Sequence, residues 1–267
     1  MRLIATLLAL LLAMPVTAQT PEEQARLDWV AARGRLLFEI DRAAWVGTDD
    51  MFQQVPNAAS SGMRGYLVER EGSGFAVTFF GGDVAAPVAF YRGQVENGRV
   101  VSRQVYLAAA RPPLTPIQRR MAAASELSRT IDRLPCGSTR FNTAIIPPDT
   151  PSGSIDLYLL TPQVNDGEYP FGGHYRYTID AAGNVQSSRA FTNSCIALGS
   201  RGARPNETVE ALFITHSLDP IPTEIHVFNS LNSHIAVGVR TANPDRVWWV
   251  TGDRIEIEHG QPGTGER

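Results

Sequence analysis

Three histidines and two acids crowd into the stretch from His216 to His234, and their spacing suggests chemistry. Glu224-Ile-His-Val-Phe228 and His234-Ile-Ala-Val-Gly-Val239 both alternate apolar and polar residues. That alternation predicts two strands of a hairpin, joined by Ser230-Leu-Asn232. In this register Ile225 pairs with Val237 and Val227 with Ile235, all facing the core, so Glu224, His226, Phe228 and His234 share the opposite face. His226 and His234 would then be diagonal neighbours about 7–8 Å apart, a spacing at which two imidazoles can share a metal ion or a substrate. Glu224, on the same face, would orient His226 or bind beside it.

The expected catalytic set is Glu224, His226 and His234, and the expected metal set is His216, His226 and His234. Zinc suits imidazole ligands, and a hydrolytic zinc would also need an open position for water. Asp219, three residues after His216, would add a ligand or an acid–base partner. The bland alternative is equally physical. An antiparallel sheet with one wet side carries polar residues in this pattern, and Asp219-Pro220 is an ordinary turn opener.

Other chemistries are excluded outright. The chain has no lysine, so Schiff-base catalysis, the phosphate-loop lysine and a Ser-x-x-Lys nucleophile cannot occur. It also lacks a Gly-x-Ser-x-Gly elbow, a His-Glu-x-x-His helix, a dinucleotide-binding glycine loop and an EF-hand loop. The net charge of −3 offers no basic surplus for nucleic acid, so no nucleic-acid partner is expected. Phe171-Gly-Gly173 before His174 could let a ligand approach the backbone, or could simply connect two strands. Asn206-Glu-Thr208 matches a glycosylation sequon.

Compartment is written at the start of the chain and in its sulfur. Arg2, the apolar run after it and Val16-Thr17-Ala18 read as a signal peptide spanning residues 1–18. No later stretch is long and apolar enough to span a bilayer as a helix. The two cysteines, Cys136 and Cys195, form an even count and are expected to bond in an oxidising compartment.

Around these residues the punctuation predicts the elements. Thr20-Pro21-Glu22-Glu23 starts a helix that Gly34 should end, after which Arg35–Asp41 reads as a strand. Residues 66–107 read as a meander, with Asn97-Gly98 as its hairpin turn. Thr115-Pro116 opens a second helix, expected to run to about Leu134. Beyond it come further strands, including a hairpin at 174–191 that resembles the one at 90–105: both read Tyr-Arg, then Val or Ile, an acid, a turn and Val-x-Ser. Trp45, Trp248 and Trp249 are expected in the core or at an interface, the last two on opposite faces of one strand.

The expectation is therefore an α+β fold of antiparallel meanders, with an N-terminal helix, a mid-chain helix and one disulfide. After the leader, residues 19–110 and 111–259 form two segments of one or two domains, and 260–267 a frayed tail. The functional expectation is an exported binding or envelope-associated module, periplasmic or extracellular and non-enzymatic. Its partner would be a protein or an envelope ligand, with oligomeric state left open. The alternative is a His/Glu hydrolase, zinc-dependent or not, on the 216–234 stretch.

Overall fold

A computed structural model describes residues 19–55, 57–137, 140–199, 208–243 and 246–258. The leader 1–18, most of the sequon and the 260–267 tail lie outside the described residues.

The first element is one long helix, α1 (Pro21–Gln54). Thr20 caps it, its side chain accepting from the Glu23 amide at 3.1 Å, with Pro21 in the first turn. The expected stop at Gly34 and the strand after it are not formed: the helix runs straight through both. Leu27, Val30, Gly34, Leu37, Ala44 and Met51 hold a three-and-four spacing on one buried face across the glycine. Gly34 is a contact rather than a terminator. A methyl there would sit 2.4 Å from Val227 Cβ and 2.7 Å from the Glu224 carbonyl oxygen. Alanine at this position would gain about 1 kcal/mol of helix propensity. The overlap outweighs that gain, so Gly34→Ala should lower stability by about 2 kcal/mol net. Urea unfolding would register this as a lower midpoint at unchanged slope, and a raised midpoint would contradict the packing.

A meander follows: β1 (Met63–Glu71), β2 (Gly74–Gly82), β3 (Pro87–Glu96) and β4 (Arg99–Val105). Then comes α2 (Pro116–Leu127), where Thr115 and Gln118 exchange bonds in a capping box. α2 ends seven residues before the expected Leu134, and 128–135 is an irregular linker. The second half brings β5 (Asn142–Ile146), β6 (Ile155–Leu160), a short β7 (Glu168–Pro170), β8 (Tyr175–Ile179), β9 (Val185–Ala190) and a short β10 (Ala197–Gly199). β5, β6, β8 and β9 form a second four-stranded antiparallel sheet, and β7 pairs with β10.

The first and second sheets share two cores. Alternating residues Val68, Phe79, Ala144 and Tyr158 join Leu37, Ile40 and Met51 of α1 in one cluster. Their neighbours Leu67, Phe80, Ile145, Leu157 and Leu159 join Met121, Ala122 and Ala124 of α2 in another. Both faces of the strands are covered, which is why β2 and β6 read as nearly continuous apolar runs.

The two similar hairpins occupy the third and fourth strands of their sheets and carry the same irregularity. Gln94 pairs with Ser102 and Val95 with Val100; Thr178 pairs with Ser187 and Ile179 with Val185. In each, the residue between Val and Ser is the extra one of a bulge. The shared Val-x-Ser pattern therefore encodes a shared backbone feature.

The C-terminal part holds the largest correction. Residues Glu224–Ser233 form a helix, α3, and not the first strand of a hairpin. The Ile225–Val237 and Val227–Ile235 pairs do not exist. Instead β11 (Ala211–Thr215) runs through α3 into β12 (Ala236–Arg240), and β11 and β12 pair in parallel. β13 (Val247–Thr251) and β14 (Arg254–Ile257) extend the sheet antiparallel. A parallel pair needs a crossover, and α3 supplies it. α3 is buried on nearly every side, between α1 and the β12–β13 surface, and even its polar stripe at helical spacing, His226, Asn229, Ser230 and Ser233, is buried. Trp248 is fully buried and Trp249 half-exposed beside Phe213, as alternation requires. Trp45 is not a core residue and stands 55% exposed on α1.

Cys136 and Cys195 are bonded to each other, with Cα atoms 5.5 Å apart. The glycines before His174 serve that bridge. Gly173 has φ +76, and a methyl on it would lie 2.6 Å from Cys136 Sγ. Among the described residues, no helix is long and apolar enough to cross a membrane.

Candidate functional site

The predicted histidines are divided by α3. Glu224 and His226 lie in its first turn, and both are buried. His234 is its C-cap, in the left-handed conformation at φ 58 and exposed. Eight residues of helix put His226 and His234 about 12 Å apart along the axis. His216, at the end of β11, does meet His226, with ring centroids 4.8 Å apart edge to face. The structure thus joins His216 to His226 and leaves His234 elsewhere. Among the described residues, no three His, Cys, Asp or Glu side chains are arranged to hold a metal ion.

Each buried histidine is tied into the backbone or a carboxylate. The Thr223 amide donates to His226 Nδ1 at 2.9 Å, closing the α3 N-terminus. The Thr161 amide donates to His174 Nδ1 at 3.2 Å, and His174 Nε2 donates to the Pro170 carbonyl at 2.8 Å. His216 Nε2 donates to Asp219 Oδ2 at 2.7 Å, and Arg189 donates to the same oxygen at 2.7 Å. Burial pushes the Asp219 carboxyl up, but those two donors prevail and hold it below the usual carboxylate range. Glu224 Oε1 accepts from the Tyr158 hydroxyl and from Arg176 Nη1, both at 3.0 Å. Asp156 beside them takes Arg33 at 3.2 Å.

Burial drives the His174 imidazole down to about 4 and the His226 imidazole down to about 3, so both are neutral in the fold. The unfolded chain protonates them near pH 6.5, so unfolding is favoured progressively below that pH, by about 1.4 kcal/mol per unit for each histidine. Asp41 works the other way. Burial raises its carboxyl to about 6, and below that value the fold regains about 1.4 kcal/mol per unit. The net expectation is a loss of about 2–3 kcal/mol between pH 6.5 and pH 5. Denaturant midpoints across that range check it, and a stability that is flat or rises on acidification would contradict the neutral buried histidines.

A different part of the molecule is open. A cleft of about 750 Å³ lies between the C-terminal end of α1, strand β1, strand β5 and the 128–135 linker. Its volume is within the 300–1,000 Å³ usual for small-molecule sites. Met51, Met63, Phe79, Ile131 and Phe141 give it an apolar lining, and Phe52 and Leu134 stand 51% and 78% exposed along it. Three of the five hydroxyls that border it donate to the protein's own carbonyls. Thr48 donates to Ala44 O, Ser128 to Ser125 O and Tyr66 to Thr143 O. Burial, with Asp41 nearby, pushes the Tyr66 phenol up to about 12, so it is a neutral donor. The charged lining is Arg64, Arg129, Arg133 and Arg140 against Asp132. Arg64 is held by both oxygens of Glu126, at 2.7 and 2.5 Å, and Arg129 donates to the Arg64 carbonyl. Arg133 is exposed and lies over the Tyr175 ring, 5.4 Å from its centroid.

Sequence reasoning missed this cleft because its walls come from segments that are remote along the chain. The local signal was modest: Arg129 and Arg133 alternating with Ile131 and Leu134 just past a helix end.

Comparisons with known proteins add little. Neither a protein-family model nor a curated protein matches the chain. Among solved structures, the chain is similar to a "putative lipoprotein" from Clostridium difficile 630, at 12% identity and a TM-score of 0.20, over 54% of this chain and 92% of that one; a likeness this slight carries no argument.

Proposed function

We propose that this is an exported, non-enzymatic binding module of the periplasm or cell exterior, and that the cleft beside the 128–135 linker is its ligand site. The observation that carries the reading is a contrast. Of the residues a hydrolase would use, His216, Glu224 and His226 are buried and tied into the fold and His234 stands apart at the far end of α3, whereas the open concavity sets Met51, Met63, Phe79, Ile131 and Phe141 beside an arginine-bearing edge. An open hollow that joins apolar side chains to a charged edge is a binding surface. The Cys136–Cys195 bond supports an oxidising compartment, and the leader-like residues 1–18 support export.

The test uses the disulfide-intact protein and N-phenylnaphthylamine, a neutral fluorophore that brightens in apolar surroundings. Saturable one-to-one binding is expected. Ser128→Trp, at a half-buried position bordering the cleft, should weaken it at least about tenfold, equivalent to about 1.4 kcal/mol. No saturable binding, or binding untouched by Ser128→Trp, would refute the site.

A further inference from the structure

We infer that the ligand of this cleft is a single-chain anionic amphiphile, with its alkyl chain along the apolar lining and its carboxylate or phosphate head at the arginine-bearing edge. This rests on the cleft being the binding site and goes further by naming the ligand's chemistry. Three observations point the same way.

Three of the five hydroxyls that border the cleft, those of Thr48, Ser128 and Tyr66, donate to the protein's own carbonyls. A polar ligand such as a sugar or a peptide would leave groups unpaired against Met51, Met63, Phe79, Ile131 and Phe141, at a cost comparable to losing hydrogen bonds. A hydrocarbon chain loses nothing. Two large side chains along the same cleft, Phe52 and Leu134, are left in water and would be covered by such a chain.

Arginine outnumbers acid at this edge: Arg64, Arg129 and Arg133 line it with Asp132, and Glu126 takes Arg64 and lies 3.8 Å from Arg129. Arg129 keeps 52% of its side chain exposed, and Arg133 is exposed. A guanidinium fork matches a carboxylate or phosphate head with paired hydrogen bonds.

The arginines and the apolar lining also share one segment. Arg129, Ile131, Arg133 and Leu134 alternate along the 128–135 linker, so one irregular stretch carries both the charged and the apolar walls. The disulfide at Cys136 fixes its far end.

The experiment compares decanoate, decanol and decyltrimethylammonium, each below its micelle concentration, by displacement of N-phenylnaphthylamine from the full exported chain. Decanoate should bind about tenfold or more tighter than decanol, and the ammonium compound weakest. Raised salt should weaken decanoate and spare decanol. Arg133→Gln should reduce decanoate affinity severalfold and leave decanol unchanged; Arg129→Gln serves as the second variant, with unfolding midpoints confirming that both are folded. If decanol and decanoate bind alike, or both Arg variants retain full decanoate affinity, the anionic assignment is overturned and the cleft reading survives. If the fluorophore does not bind at all, the cleft reading itself has failed.

Discussion

Replacing Cys136 and Cys195 together by serine will lower the stability of the oxidised protein by about 4 kcal/mol, the loop-entropy value for a bridge that closes about 60 residues. The two cysteines are 59 positions apart, so the crosslink confines β5, β6, β7, β8 and β9 to one closed loop in the unfolded chain. In the folded state it packs on Gly173, whose missing side chain makes room for Cys136 Sγ. A loss of this size is a large share of the 5–15 kcal/mol that holds a typical domain together. The effect has a functional side. Cys136 directly follows the linker that walls the cleft, so the doubly substituted protein should bind N-phenylnaphthylamine more weakly even where it remains folded. Denaturant unfolding of oxidised wild type against the double variant measures the first effect. A difference under about 1 kcal/mol would mean that the bridge is incidental.

Glu224→Ala will cost about 3 kcal/mol, the second largest expected loss. The Glu224 side chain is only 2% exposed, and its Oε1 receives both the Tyr158 hydroxyl and the Arg176 guanidinium. Removing the acceptor strands a buried phenol and a guanidinium whose side chain is 23% exposed. Breaking a buried ion pair from one side typically costs 3–5 kcal/mol, and the partial exposure of Arg176 places this case at the low end. Glu224→Gln keeps an acceptor oxygen at the same reach and should cost clearly less. Tyr158→Phe combined with Glu224→Ala should be less damaging than the sum of the two alone, because the second change removes a group the first has already orphaned. Strict additivity would show that the hydroxyl and the carboxylate do not depend on each other. The same substitution bears on function: in a hydrolase built on Glu224 the alanine variant would abolish activity, whereas here it should leave the cleft's affinity intact in the folded fraction.

What could be read from the chain follows the locality of each signal. Thr20-Pro21 and Thr115-Pro116 begin helices because capping is decided within four residues, and both caps are formed. Asn97-Gly98 makes its hairpin because both residues sit at positive φ, which the turn requires. Gly34 misled because a glycine at a stop and a glycine at a helix crossing are identical in sequence; only Val227, almost two hundred residues away, distinguishes them. The 224–233 stretch misled for a related reason. Ile225 and Val227 alternate as a strand would, while His226, Asn229, Ser230 and Ser233 hold the helical spacing; that stripe is buried and so marks no solvent face. Thr223 followed by Glu224 was a second clue, a cap residue with an acid in the first turn. The cleft has only a faint local signature, in residues 129–134 of the linker, since α1, β1 and β5 contribute its other walls.

Amide chemical shifts of the isotope-labelled, disulfide-intact protein, followed during a titration with decanoate, test the central claim most directly. The account predicts that the perturbed amides cluster at Met63, Tyr66, Ser128, Arg133 and Phe141, around the cleft. Perturbations gathered instead around His216, Glu224 and His226 would contradict it, as would a spectrum that does not move.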